Sequence, residues 1–381
     1  MVASVAPAAS AIMTGAAQTS LKGEDLWKTH MQAIGGDMVS FAIVADGHGG
    51  VSAAQLCSER IVPYIIEEAH GDASASSLRK AGGAAFERVH KEVRAAGATD
   101  GVFPGTTLTV CMINVARNEL TTLHVGDSEA ILVPHEREDA LPQRLTAEHR
   151  LQDSRPEQKR VVNLGGKVGR LQHPETKLPA GPLRVFPGGL ACARGIGDAD
   201  AGDVVSAVPA CSTVPLKGFA RGWDCIVGSD GIWDAMQAAS VVRICRGHPH
   251  TVTPQRLAEL LVEQAIAKRH AFDNVRTPRD DTTCIVMRCH GPLSERGGCA
   301  NGKVCVRDCE LPSLVAEPVE FDAIFVEDSL RPAPIDENET STRRSSDPTS
   351  PQTPATARVM APESSLDIEE LSRDTSTVSV E

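Results

Sequence analysis

Aromatic residues are scarce in this sequence, 3% of the chain with a single tyrosine, so Val, Ile, Leu and Ala must fill whatever core it builds. Basic residues are not in excess either: 38 Lys+Arg stand against 50 Asp+Glu, a net charge of -12. That excludes the basic face a nucleic-acid binder needs. The eleven cysteines lack any short paired spacing of the zinc-ribbon kind, and their number is odd. Free thiols in a reducing compartment fit best. No apolar run approaches the ~20 residues that span a bilayer, so no membrane partner is expected. Residues Met1 to Ser20 are Ala- and Ser-rich without acidic residues, but they lack the Arg of a transit peptide. Cleavage there would also remove a strand, because Ser10 to Thr19 runs straight into the first chemistry-bearing motif. The expected location is cytoplasm or nucleus.

What is present is unevenly distributed. From Leu293 onward there are 18 Asp+Glu against 8 Lys+Arg, leaving 32 against 30 before that point. The acidity belongs to the tail. Pro, Ser, Thr and acidic residues dominate there, and Arg331 to Ala361 has almost no apolar cluster to offset its ordering entropy. The expected organisation is a globular domain over 1–292 and an acidic Ser/Thr/Pro-rich tail over 293–381, mostly disordered. Ser346, Ser350 and Thr353 lie in tail sites that a kinase could reach.

Within the domain, Met38 to Ala45 reads as a buried strand stopped by Asp46-Gly47. Ser52 to Ala69 and Leu78 to Arg94 read as helices, the second with Phe86, Val89 and Val93 on one face. Thr106 to Val115, Leu120 to Val125 and Ala130 to Val133 are β-branched runs, the first two joined through Arg117-Asn118 in a hairpin-sized gap. In the first run Leu108, Val110 and Met112 fall on one face and Cys111, Ile113 and Val115 on the other, so both faces are covered. A long polar stretch from Glu148 to Gly189 holds one helix around Pro156 to Leu164. Trp223 to Gly228 and Thr282 to Met287 are further strands. Between them Thr253 and Pro254 start a helix with Leu257, Leu260, Leu261 and Ala265 on one face. The sum is an α+β sandwich of antiparallel sheets with grouped helices.

Three of the apolar strands end in a carboxylate beside glycine: Val44-Ala45-Asp46-Gly47, Val125-Gly126-Asp127 and Val227-Gly228-Ser229-Asp230-Gly231. One Asp-Gly pair ordinarily marks a turn. Three buried together need positive charge, and no Arg or Lys stands immediately beside them. Asp and carbonyl oxygens without His or Cys select a hard ion, Mg2+ or Mn2+.

Asp46-Gly47-His48-Gly49-Gly50 resembles the DGHGG signature of the protein phosphatase 2C family. Lys22-Gly23-Glu24-Asp25 resembles the KGED form of its first motif. Gly105-Thr106-Thr107, Gly126-Asp127-Ser128, Ala193-Arg194-Gly195-Ile196-Gly197-Asp198, Ser229-Asp230-Gly231-Ile232-Trp233-Asp234 and Arg279-Asp280-Asp281-Thr282-Thr283 follow in the family's order. The similarity covers roughly Ala11 to Arg288, and Gly165 to Gly189 looks most like plant and algal members. Seven ordered motifs far exceed what one short pattern can deliver.

The resemblance implies a four-layer sandwich of two antiparallel sheets flanked by helices. It implies hydrolysis of phosphoserine and phosphothreonine in phosphoproteins, without a phosphoenzyme, by a water activated by two Mg2+ or Mn2+ ions. Asp46 would bridge the ions, Gly47 would give its carbonyl, and Glu24, Asp230 and Asp280 would complete the shells. Asp281 stands where many members have Asn. Asp127 and Asp234 match positions that hold a third, weaker ion, and His48 matches the general acid. Where many members have a phosphate-binding arginine this chain has Ser20, leaving Lys22 or Lys28 as point-charge substitutes. The chain is expected to act as a monomer.

Other patterns carry less. Cys111 and Arg117 have the spacing of a cysteine-dependent phosphatase, but Met112 to Ala116 lacks glycine and alternates as a strand. His248-Pro249-His250 stands alone, and Asp198-Ala199-Asp200 lacks the remaining ligands of a calcium loop. The rival function is a phosphatase-like scaffold that binds partners with little catalysis. Loss of a carboxylate would mark it, and Glu24, Asp46, Asp230 and Asp280 are all present.

Overall fold

The computed structural model describes residues 12–97, 101–135, 141–173, 175–219, 221–248, 252–273 and 280–290. The acidic tail and its Ser346, Ser350 and Thr353 sites lie outside them.

The chain opens with strands β1 (Ile12–Thr19), β2 (Asp25–Ile34) and β3 (Asp37–His48), then helices α1 (Ser52–Glu68) and α2 (Ala75–Ala96). Next come β4 (Gly105–Thr106), β5 (Leu108–Asn114), β6 (Glu119–Val125), β7 (Glu129–Pro134) and β8 (Gln143–Arg144). Helix α3 (Arg155–Asn163) leads into the hairpin β9 (Lys167–Gln172) and β10 (Pro179–Phe186). There follow β11 (Ile196–Gly197), a 3-10 turn at Ala199–Val204, β12 (Ala210–Pro215) and β13 (Trp223–Gly228). Helices α4 (Asp230–Trp233), α5 (Ala238–Gly247) and α6 (Pro254–Asp273) precede the last of the described strands, β14 (Thr282–Cys289).

Apart from the two-stranded β9–β10 hairpin, the strands form two antiparallel sheets. One has five strands in the order β1-β14-β13-β7-β8; the other has seven, in the order β11-β4-β3-β5-β6-β12 with β2 added to β3. The two-faced pattern of β5 decides how they stack. Leu108, Val110 and Met112 join Phe41 and Ile43 of β3 against Phe86 and Val89 of α2 and Ile61 of α1. Cys111 and Ile113 point the other way, into a core shared with Leu132 of β7, Val227 of β13 and Ile285 of β14. Beyond that sheet, Ile226, Cys284 and Val286 meet Val241 of α5 and Leu257 and Leu261 of α6. Helices, sheet, sheet and helices are therefore four layers, the α+β sandwich expected.

Local chemistry explains the helix starts. Ser74 Oγ accepts from Ser77 N at 3.2 Å ahead of α2, and Thr253 Oγ1 accepts from Arg256 N at 3.2 Å ahead of α6, each satisfying a donor left open at a helix N-terminus. The buried stripe of α6 is Leu257, Ala258, Leu261, Val262 and Ala265. Leu260, placed on that face by spacing, is only half-buried. The polar stretch before Gly189 holds not one helix alone but also the β9–β10 hairpin.

Antiparallel pairing gathers the chemistry at one end of the sandwich. The end of β3 lies beside the start of β2, with Asp25 opposite Asp46. The end of β13 lies between the starts of β7 and β14, with Gly228 opposite Glu129 and Cys284. Between β6 and β7 the chain changes sheets through Gly126-Asp127-Ser128.

Candidate active site

Asp46 is held by its backbone before its side chain acts. Thr107 Oγ1 accepts from Asp46 N at 3.1 Å, while Thr106 Oγ1 and Thr107 N donate to Asp46 O at 3.0 and 2.9 Å. Thr107 Oγ1 in turn meets Ser128 Oγ at 2.7 Å. The Gly105-Thr106-Thr107 and Gly126-Asp127-Ser128 motifs thus fix the strand end that carries Asp46.

The carboxylates around it repel one another. Burial raises the Asp46 carboxyl well above its usual range, and Asp25, Asp230, Asp127 and Asp280 push it further. Burial together with Asp127, Asp234 and Asp280 drives Asp230 up to about 7, against the pull of Arg150. Asp230 Oδ1 is buried with no hydrogen-bond partner. An all-oxygen donor set, mutual repulsion and an orphaned oxygen fit a hard divalent cation.

Among the described residues, no group of three or more His, Cys, Asp and Glu is drawn together tightly enough to hold an ion as it stands. The reason is visible in the partners. Glu24 Oε1 accepts from Gly50 N at 2.7 Å. Asp280 meets the Lys22 amine at 2.9 Å. Arg150 places Nε 2.7 Å from Asp127, Nη1 2.5 Å from Asp234 and Nη2 3.5 Å from Asp230.

Asp281 has a different task from Asp280. Its Oδ1 accepts from Leu21 N and Lys22 N at 2.5 and 2.7 Å, and its Oδ2 accepts from Glu24 N and Asp25 N at 2.7 and 3.0 Å. Burial works against ionisation, but these backbone donors bring the carboxyl down to about 2. Asp281 therefore shapes the loop that presents Glu24. Asp25 is buried against Asp46 and accepts from Thr283 Oγ1 at 2.7 Å.

His48 projects from the same strand end, and its Nε2 lies 2.6 Å from Asp198 Oδ1. The His side chain is 41% exposed and the Asp side chain 2%. Burial lowers the affinity of His48 for a proton, but Asp198, with Asp127 and Glu24 behind it, raises the net value. Gly105 makes the pair possible. A Cβ there would stand 2.2 Å from Asp198 Oδ1 and 2.4 Å from His48 Nε2.

The structure thus brings together Glu24, Asp46, Gly47, His48, Asp127, Asp230, Asp234, Asp280 and Lys22. Lys28 goes elsewhere, donating to the Ser58 carbonyl of α1 at 3.3 Å. Two partners escaped the sequence reading. Asp198 was visible as the last residue of its motif, though without a role. Arg150 gave no signal, since it stands 23 and 84 residues from Asp127 and Asp234 in the chain. The other patterns dissolve: Cys111 is core, Arg117 pairs with Asp37 at 2.8 Å, and His248 Nδ1 meets the Ile244 carbonyl at 3.0 Å.

The protein phosphatase 2C family model matches residues 11–275. An Arabidopsis thaliana protein named "Probable protein phosphatase 2C 12" is 35% identical over 72% of this chain and 61% of its own length. An Oryza sativa subsp. japonica protein named "Probable protein phosphatase 2C 69" is 33% identical over 72% and 62%. The chain spans about three-fifths of the length of the curated relatives it matches. Two solved structures share the fold. A sex determining protein of C. elegans aligns with a TM-score of 0.59 at 21% identity, over 74% of this chain and 65% of that one. The serine-threonine phosphatase 2C of Toxoplasma gondii aligns with a TM-score of 0.58 at 22% identity, over 72% and 94%.

Proposed function

Since the chain belongs to the protein phosphatase 2C family, we propose that it hydrolyses the phosphate esters of phosphoserine and phosphothreonine in proteins, with Asp46, the Gly47 carbonyl, Glu24, Asp230 and Asp280 holding two Mg2+ or Mn2+ ions. One observation carries this reading: half-buried carboxylates from separate strand ends are brought near enough to repel one another, and Asp230 Oδ1 is left without a partner there. When bound, such ions supply a nucleophile from water at neutral pH and neutralise charge on the phosphoryl oxygens.

The remaining work falls to the chain itself. His48 hands a proton to the departing seryl or threonyl oxygen. Asp198 fixes the ring through Nε2, leaving the other ring nitrogen to face substrate. Thr106, Thr107 and Ser128 hold Asp46 in place, and Asp281 does the same for the Glu24 loop. Lys22 is the candidate for the substrate phosphate, because its amine already reaches the cluster through Asp280. Lys28, turned to α1, is poorly placed for that task.

The test is hydrolysis of a phosphoserine peptide by the full chain with Mn2+ or Mg2+, repeated in chelator and with Asp46→Asn. Activity should vanish in chelator and fall on the order of a thousandfold or more in the variant, since several kcal/mol of transition-state stabilisation are removed. A folded Asp46→Asn protein with near-normal turnover would exclude the mechanism. A chain that binds the ions yet turns over no phosphopeptide would favour a scaffold.

A further inference from the structure

We propose that the Arg150 guanidinium is a built-in cation standing where a third, weaker ion would sit, so that this chain loads two ions and no more. The inference rests on the metal-dependent reading above and concerns the carboxylates that reading does not use.

Asp127 and Asp234 come from different parts of the chain, the turn after β6 and the end of α4, and one planar group joins them. Nε of Arg150 is 2.7 Å from Asp127 Oδ2 and Nη1 is 2.5 Å from Asp234 Oδ1. Both are short charge-assisted bonds. The third nitrogen, Nη2, stands 3.5 Å from Asp230 Oδ2. It therefore faces the oxygen opposite Oδ1, the one that is buried without a partner. In this arrangement Arg150 covers the outer side of Asp230 and leaves its inner oxygen to the ion pair.

The arginine is not a wandering surface side chain. Its backbone pairs with Cys192 in an isolated antiparallel bridge. Leu151 N donates to Ala191 O at 2.9 Å, and Ala193 N to His149 O at 2.9 Å, one on each side of that bridge. Arg150 N itself donates to Glu148 Oε1 at 2.9 Å, and the side chain is 30% exposed. The guanidinium thus enters the cluster from a fixed point.

Occupancy by both cations is excluded by size and charge. A divalent ion the size of Mg2+ sits about 2.0–2.1 Å from each carboxylate oxygen in near-octahedral geometry. Guanidinium nitrogens already occupy the space in front of those oxygens. Arginine also stays charged at any pH a protein survives, so it cannot yield by losing a proton. For a third ion to enter, Arg150 would have to leave both Asp127 and Asp234.

Mn2+ bound per full-length chain, counted by native mass spectrometry across a concentration series, tests this without reference to turnover. Wild type should saturate at two ions, and Asp127→Asn should leave that count unchanged. Arg150→Gln should gain a third, weaker ion, which Asp127→Asn in the same chain removes. A third ion on wild type that disappears with Asp127→Asn or Asp234→Asn would overturn the proposal. So would a folded Arg150→Gln protein that still stops at two. Should Arg150→Gln fail to fold, as its melting curve would show, the comparison of wild type with Asp127→Asn decides alone. A wild type that binds no ion, or whose binding ignores Asp46→Asn, would sink the underlying metal reading instead.

Discussion

Asp198 occupies left-handed backbone, φ 50° and ψ 51°, a region that costs most residues energy and that Asp tolerates better than most. Its amide donates to the Pro104 carbonyl at 3.2 Å, and only Oδ1 is engaged, by His48. Oδ2 is buried with no partner. A strained, buried carboxylate devoted to one imidazole is consistent with a positioning role. His48→Gln should lower turnover of phosphoserine peptides by about 10²–10⁴-fold, and p-nitrophenyl phosphate much less, because p-nitrophenolate leaves without a proton. Asp198→Asn should reproduce that substrate-selective pattern more mildly, on the order of 10- to 100-fold, as loss of an orienting partner does. Equal losses on both substrates, for either variant, would mean that the pair organises the site and does not move a proton.

At the scale of elements, the 105–107 segment does two jobs with three residues. Thr106 and Thr107 hold Asp46, and Gly105 clears room for His48 and Asp198. Gly105→Ala should therefore leave the sandwich folded, with a melting temperature within a few degrees of wild type, while phosphopeptide turnover drops as in His48→Gln. A fully active Gly105→Ala protein would show that the imidazole does not need its partner at this distance. Much of this was legible in the sequence. The two-sided pattern of β5 announced two covered faces, and the strand ends were marked by Asp beside Gly. β2 was not legible, because it pairs with β3 alone in the sheet and carries half-exposed polar positions in place of an apolar run. The β9–β10 hairpin was hidden for a similar reason, being Gly- and Pro-rich and mostly solvated. Arg150 and Asp198 were unreadable as partners because each reaches its carboxylate or imidazole through space, 23 and 150 residues away.

Across the whole molecule, buried ionisable groups set opposite pH limits on the metal-free protein. His124 and His149 stack with ring centroids 4.3 Å apart, and burial holds both well below the usual histidine range. The unfolded chain takes up those protons first, so their contribution is intact above about pH 6.5 and is lost as the pH falls further. Asp46 and Asp230 act in reverse. Their folded forms retain protons that the unfolded chain releases above about pH 4, so their contribution is whole below that pH and declines as the pH rises, that of Asp230 being spent once the pH passes about 7. Above about pH 6.5 only the carboxylate contribution still changes, so the Tm of metal-free protein should fall from there until both carboxyls have ionised. Each kcal/mol at stake is worth about 2–4 °C in a domain of this size. Asp230→Asn should lessen that fall, and Mn2+ should raise Tm most once the carboxyls are ionised. Melting curves in chelator from pH 5 to 8.5 check both limits, and a fall above pH 6.5 that is unchanged in Asp230→Asn would refute the assignment.

The clamp of Asp281 on the loop from Leu21 to Asp25 joins parts of the chain some 260 residues apart, and β1 pairs along its whole length with β14. During synthesis the ribosome delivers the loop early and its acceptor some 260 residues later. At about 5–20 residues per second, Glu24 waits tens of seconds for the carboxylate that shapes its backbone. Nascent and prematurely terminated chains ending before Asp281 carry DGHGG, Asp127 and Asp230 but cannot close the site. Ribosome-stalled chains ending short of Asp281 should be inert toward phosphopeptides, and adding β14 should turn the activity on in one step. The fold thereby delays the proposed activity until β14 has been made.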